Sequence, residues 1–443
     1  MPSVFRILVL AGFAWCLPAV AAIPIQNWTM PSGVQVFLVE SQSIAMVDMQ
    51  IDFDAGARRD PQSMSGLASV TAAMASKGVT AAGADPALDE NALSEAWADL
   101  GASFRASAST DRMGFYLRSL TFPDLLGKVV ALAARQIGQP AFPQAIWLRE
   151  RERIAASIRE SNTRPATVAG RAFSSAVYGS HPYGFDVTGQ SLSAIGVADM
   201  QAMYANLVQP CRAKVSIVGA VTRAQAQELV GVLFSRLSPA PGQCAPLPAV
   251  ADVQPLEKPS EQRIAFDSAQ AHVLLGQPGY RRDDPAFFAL TVGNYILGGG
   301  GFVSRLTAEV REKRGLSYSV YSYFSPGLHA GAFTVGRQTR PDQAAQALAV
   351  SREVLTRFVA DGPTEVELAA AKGNLVGGFA LLIDSNQKLL GNVANIAWNR
   401  LPLDYLDTWQ QQVERVTTAD VRAAFARVLQ PDRMVTVTVG GAP

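Results

Sequence analysis

Two stretches of this 443-residue chain are copies of one pattern. Residues 198–219 read ADMQAMYANLVQPCRAKVSIVG, and residues 419–440 read ADVRAAFARVLQPDRMVTVTVG. Asp199 matches Asp420, Tyr204 matches Phe425, Gln209-Pro210 matches Gln430-Pro431, and Gly219 matches Gly440, all at an offset of 221 residues without a gap. Each copy predicts a helix, a Gln-Pro turn and an alternating strand, with the Asp near the helix entry where negative charge suits the dipole. A repeat held in register over this length divides the chain into two homologous halves.

The boundary agrees. Residues 237–262, LSPAPGQCAPLPAVADVQPLEKPSEQ, carry six prolines and no strong periodicity, which reads as a stiff linker. The first half then runs over 22–236 and the second over 263–443. Alternating runs such as VQVFLVE and VDMQIDF, then AGAFTVG and MVTVTVG, predict strands. Helical periodicity covers 64–77, 121–136, 143–161 and 197–208, then 284–297, 342–360, 364–382 and 405–429. The expected fold class is α+β: two homologous domains, each a mostly antiparallel sheet with helices packed on one face, arranged like a clam.

Composition narrows the function. Apolar residues make up 49% and charged residues 17%, a core-rich globular balance, and the net charge of +1 gives no basic field for nucleic acid. The N-terminus MPSVFRILVLAGFAWCLPAVAA has one basic residue, Arg6, a short apolar run and Ala19-Val20-Ala21, which reads as a signal peptide over 1–21. The expectation is an exported protein, periplasmic or secreted, with no membrane span after cleavage. Cys211 and Cys244 then remain, and in an oxidising compartment they either bridge or stay two buried thiols.

Residues 297–324, LGGGGFVSRLTAEVREKRGLSYSVYSYF, pose the functional question. A phosphate-binding loop needs Gly-Lys-Ser/Thr after a strand, whereas these glycines end in Phe302-Val303 after a helical pattern. The segment resembles the C-terminal-domain signature of the pitrilysin/insulinase family of inverted-zincin metallopeptidases, of the short bacterial type similar to mitochondrial processing peptidase subunits. FDAGARRDP, SGLASVTAAMASKGVT, LGASFRASASTDRMGFYLRSL and HPYGFDVTGQSLSAI resemble first-half segments of that family.

Inverted zincins place H-x-x-E-H on a first-half helix, so that two His share one face and the Glu polarises a zinc-bound water. At the corresponding positions this chain has Ser69, Ala72 and Ala73. The downstream Glu position falls near Ala156-Ser157, with Glu152 or Glu160 as acids shifted in register. The chain has three histidines, His181, His272 and His329, and the family geometry brings no two of them together. No zinc site and no cofactor are expected in this chain.

The resemblance implies that Arg314 and Tyr318 bind peptide backbone and stabilise the oxyanion at a zinc site, a task suited to a charged donor and a phenol. It implies a peptide-binding edge strand at Gly101, Ala102, Ser103, Phe104, Arg105 and Ala106, and substrate contact at Gly299 and Gly300. Arg105 departs from the family's Asn. The implied function is a non-catalytic subunit that closes a chamber and donates Arg314 and Tyr318 to a homologous partner carrying H-x-x-E-H and zinc, for peptide cleavage. A stand-alone peptide-binding or scaffolding protein, and an enzyme with a displaced metal site around His181, are the alternatives.

Overall fold

A computed structural model describes residues 23–237 and 244–441. The segment read as a signal peptide lies outside the described residues, as does 238–243 of the linker.

Strands β1 (Gln26–Thr29), β2 (Gln35–Glu40), β3 (Met46–Phe53), β4 (Ser103–Ala108), β5 (Met113–Leu120) and β6 (Lys214–Gly219) form one sheet in the order β1-β2-β6-β3-β5-β4. Strands β7 (Ser260–Ile264), β8 (Ala271–Pro278), β9 (Ser319–Phe324), β10 (Ala332–Thr339) and β11 (Val435–Val439) form the other in the order β7-β11-β8-β10-β9. Apart from β1, the second order repeats the first. Within each sheet one pairing is parallel, β2 with β6 and β7 with β11.

The first half carries helices α1 (Leu67–Met74), α2 (Glu90–Asp99), α3 (Pro123–Gly138), α4 (Gln144–Ser161), α5 (Pro165–Tyr178), α6 (Gly189–Ser193), α7 (Val197–Leu207) and α8 (Arg223–Leu233). The second carries α9 (Phe287–Asn294), α10 (Ala344–Asp361), α11 (Glu365–Gly378), α12 (Asn386–Asn399), α13 (Tyr405–Arg415) and α14 (Thr418–Val428). Periodicity did not reveal α2, α5, α8 and α12. The single helix expected over 405–429 is two, because Val416 turns extended and Thr417 starts a new helix with a capping box to Asp420.

The repeat accounts for an exchange between the halves. α5 packs on β8 and β11 of the second sheet, while α12 packs on β6, β3 and β2 of the first. These two helices are again 221 residues apart, Pro165 to Asn386 and Tyr178 to Asn399. Ala169, Phe173 and Val177 of α5 form a core with Val435, Val437 and Val439 of β11. On the other side, Lys214 of β6 donates to the carbonyls of Ala397 (2.7 Å) and Trp398 (3.2 Å) at the C-terminal end of α12, where a cation suits the dipole. Each sheet therefore has its own helices on one face and a helix of the other half on the second.

Among the described residues no single helix is long and apolar enough to cross a membrane. Cys211 and Cys244 are joined as a disulfide with Cα atoms 5.7 Å apart.

Candidate functional site

The helix matching the zinc motif is α1. Its start is fixed by Asp60, whose carboxylate accepts the amides of Gly66 (2.9 Å) and Ala68 (3.0 Å). Burial pushes that carboxyl up to about 6 against the pull of these helix amides. Ser69 and Ala73, one helical turn apart, are both exposed on one face, and Ala72 is fully buried. The geometry for two ligands at i and i+4 is present, but the side chains there are a hydroxymethyl and a methyl.

On α4, the acid that reaches the end of α1 is neither Glu152 nor Glu160. Glu150 of α4 lies 3.7 Å from the Lys77 ammonium just beyond α1 and is also held by Arg149 and Arg153. Glu160 pairs instead with Arg164. Together the basic partners of Glu150 keep its carboxyl below the usual range, although burial works the other way. Among the described residues no group of three or more His, Cys, Asp or Glu is arranged to hold a metal ion.

Next to α1 runs β4, an edge of the first sheet. Ala102, Ser103, Phe104 and Arg105 border a cavity of about 620 Å³ with Lys77 and Trp97, whereas Gly101 and Ala106 lie outside it. Gly101 instead makes the turn into the strand, with φ +55. The Phe104 ring stacks on Trp97 (centroids 5.2 Å), and the Arg105 guanidinium lies 4.7 Å from the Tyr116 ring centroid. One side of β4 is free for main-chain pairing.

The second sheet repeats this arrangement at β9, its corresponding edge. The glycine run closes the wide helical turn Tyr295–Gly299 that continues α9. Gly298 has no room for a side chain, since a Cβ would come within 2.5 Å of the Ser322 amide nitrogen in β9. The glycines thus bring the loop against the strand. Between them opens a cavity of about 570 Å³ bordered by Gly299, Phe302, Arg311, Tyr318, Tyr321 and Tyr323. Gly300 is outside it and packs on Tyr295, whose carbonyl accepts its amide at 2.8 Å.

Tyr318 borders this cavity, and Arg314 is exposed but lies outside its border. The Tyr318 ring is 79% exposed, so it is not part of the core. Arg314 donates to the Glu309 carboxylate (2.6 Å) and carbonyl (2.8 Å). Hydrogen bonds from Lys313 and Arg314 hold the Glu309 carboxyl below its ordinary range. Arg311, which sequence reasoning did not single out, sits 4.6 Å from the Phe302 ring centroid and 4.8 Å from that of Tyr318. This cation–π sandwich orients the phenol. The β9 edge was also missed, although the alternation of SVYSYF, with Tyr321 and Tyr323 two residues apart, carries the signal.

Contrary to the expectation that the histidines stay apart, the rings of His181 and His329 have centroids 5.1 Å apart. Residues from both halves and the linker converge there. Tyr183 donates to Asp111 (2.7 Å) and accepts the His329 amide (3.1 Å), Asp111 pairs with Arg58 (3.2 Å), and His329 Nδ1 meets Asp252 (3.0 Å). His181 Nδ1 accepts the Tyr183 amide (3.1 Å), so its neutral ring donates through Nε2 to the Ala251 carbonyl (3.0 Å). With both nitrogens of His181 engaged, the cluster works as a clasp between the halves, and it offers no metal set.

Two edge strands beside cavities, a ligand-less metal helix and an exposed Arg-Tyr motif define a two-domain peptidase fold without metal ligands on its motif helix. The family description "Insulinase (Peptidase family M16)" matches residues 35–190, and "Peptidase M16 inactive domain" matches residues 194–375. A crystal structure of a peptidase M16 inactive domain from Pseudomonas fluorescens is 32% identical, covers 95% of this chain and 98% of that one, and superposes with a TM-score of 0.88. An uncharacterized zinc protease of Mycobacterium bovis is 31% identical over 63% of this chain, and the match spans 64% of that relative's length. A Helicobacter pylori protein described as a non-peptidase homolog is 29% identical over 37% of this chain and 38% of its own. The chain belongs to peptidase family M16, the insulinase family.

Proposed function

We propose that this chain is the non-catalytic subunit of an exported zinc metallopeptidase, closing the peptide chamber and presenting Arg314 and Tyr318 to a homologous, zinc-bearing partner. The observation that carries this reading is an asymmetry between the halves. The metal helix has Ser69, Ala72 and Ala73 where ligands and base would stand, while Tyr318 stands exposed at the border of a groove and Arg314, outside that border, is exposed and held by Glu309. In the assembled site the guanidinium would exchange Glu309 for substrate carbonyl oxygen, and the phenol would donate to the oxyanion. The zinc-bound water and the general base would come from the partner, and this chain's residues would bind and orient the peptide.

The test is to purify the chain with a family member carrying H-x-x-E-H and to measure zinc content and peptide cleavage for each chain alone and for the mixture. The expected result is zinc in the partner only, cleavage by the mixture, and a loss of about 10²–10³-fold in kcat on Arg314→Ala. Stoichiometric zinc and cleavage by this chain alone would sink the proposal. So would a partner fully active without it.

A stand-alone peptide-binding protein is the second reading, favoured by the two open strand edges, β4 and β9, each beside a cavity. It predicts peptide binding by this chain alone, without any partner of the family.

A further inference from the structure

Arg337 of β10 is 2% exposed, and none of its three guanidinium nitrogens has a hydrogen-bond partner among the described residues. A buried arginine keeps its charge, because its pKa is too high for loss of the proton near neutrality. Burial, with the neighbouring Arg352 cation as the second cause, brings Arg337 down to about 9, still ionised at pH 7. No carboxylate contributes to that balance. An uncompensated ion in a protein interior costs several kcal/mol, so something must meet this charge.

Arg352 of α10 does not relieve it. Its guanidinium donates to the Thr436 hydroxyl and to the Pro431 carbonyl (3.5 Å), both neutral acceptors. Two cations therefore share the layer between α10 and the second sheet. Cross-strand register fixes the place: Arg337 is opposite Val273, and Val273 is opposite Thr438. A cavity of about 510 Å³ opens at the Thr438 end of this row, bordered also by Gly440, by Ala344 and Leu348 of α10, and by Glu261 and Arg263 at β7, while Arg337 and Arg352 lie deeper than its border. Leu348 lies one helical turn before Arg352.

We propose that Arg337 and Arg352 form a buried site for a small inorganic anion, a halide or oxyanion, entering from the cavity between α10 and β11. Water alone would satisfy the donors but leave two positive charges in a low-dielectric layer. The site would brace the second half at the functional motif, since β10 pairs with β9 along Arg337–Val320 and Gly336–Tyr321, and α10 packs against the turn Thr307–Glu312 that precedes Arg314. This inference stands independently of the proposed subunit role.

The experiment is thermal unfolding of the full chain, desalted into sodium gluconate and titrated with chloride, bromide or sulfate at constant ionic strength. A ligand of the native state gives a saturable rise in Tm, expected here as several degrees, and Arg337→Met should abolish the saturable part. General salt effects on burial would move both proteins alike, and an equal response overturns the proposal. If Arg337→Met does not fold, wild-type crystals soaked in bromide decide. An anomalous peak within hydrogen-bond distance of Arg337 supports the site, and none overturns it. A wild-type Tm indifferent to every anion, with no anion released on unfolding by ion chromatography, also overturns it.

Discussion

The imidazole of His181, on the first half, lies 5.1 Å from that of His329, on the second. Burial first, and the neighbouring His329 second, push the His181 pKa below its ordinary 6.5, with Asp252 and Asp111 opposing. The ring is therefore neutral in the folded chain over a window where the unfolded chain is protonated. The unfolded state binds more protons there, so stability falls as pH drops through 6.5 toward the lower folded value. His181→Gln keeps a donor for the Ala251 carbonyl and removes the titration. It should flatten the decline between pH 7 and 5 in urea unfolding, and an unchanged decline would place the sensitivity elsewhere.

Phe173 tests the exchange of helices. Its ring, on α5, occupies the space over Gly276 of β8, where a Cβ would come within 2.8 Å of it. Phe173→Ala should cost about 3–5 kcal/mol. Because α5 is first-half sequence covering the second sheet, both halves should lose stability in one calorimetric transition. Two separated transitions, with only one shifted, would count against coupled folding.

Ser69 and Ala73 supply a direct test of the metal helix. Ser69→His with Ala73→His places two imidazoles one turn apart on an exposed face. Zinc should then bind weakly, adding about 2.7 kcal/mol of stability at ~100 times its Kd. Peptide cleavage by the chain alone should stay at background, because Ala72 still occupies the base position and Glu150, the acid of α4 at the end of α1, is engaged by Lys77, Arg149 and Arg153. Measurable hydrolysis by this variant would overturn that assignment.

Arg305 and Glu367 join the functional segment to α11 by two bonds, Nε to Oε1 at 2.6 Å and the terminal nitrogen to Oε2 at 2.7 Å. The Arg305 hydrogen bond is the main cause holding Glu367 down to about 2. A depressed carboxyl contributes stability that is present above its unfolded pKa, ordinarily 4.5, and is lost as pH falls toward 2. Arg305→Met should cost about 1–3 kcal/mol at pH 7, and the difference from wild type should shrink on acidification through that window. A constant difference would mean that packing, not charge, is lost.

The duplication was legible because a folded unit repeats its apolar periodicity and turn residues at fixed spacing. The 221-residue offset places β6 with β11 and α7 with α14 from sequence alone. Ser69, Ala72 and Ala73 were legible for a similar local reason, since ligand spacing on one helix face is a property of sequence alone. What tertiary structure decided is the partnering of groups far apart in the chain. α5 and α12 are amphipathic in sequence, but the sheet each one covers belongs to the other half, a pairing that exists only in space. His181 meets His329, and Asp52 is buried and Lys214 half-buried under α12, only because those sheets close on each other's helices. Arg337 reads in sequence as an ordinary strand residue. Burial between α10 and the second sheet makes it an uncompensated charge, because desolvation depends on what surrounds a side chain in space and not on its neighbours along the chain.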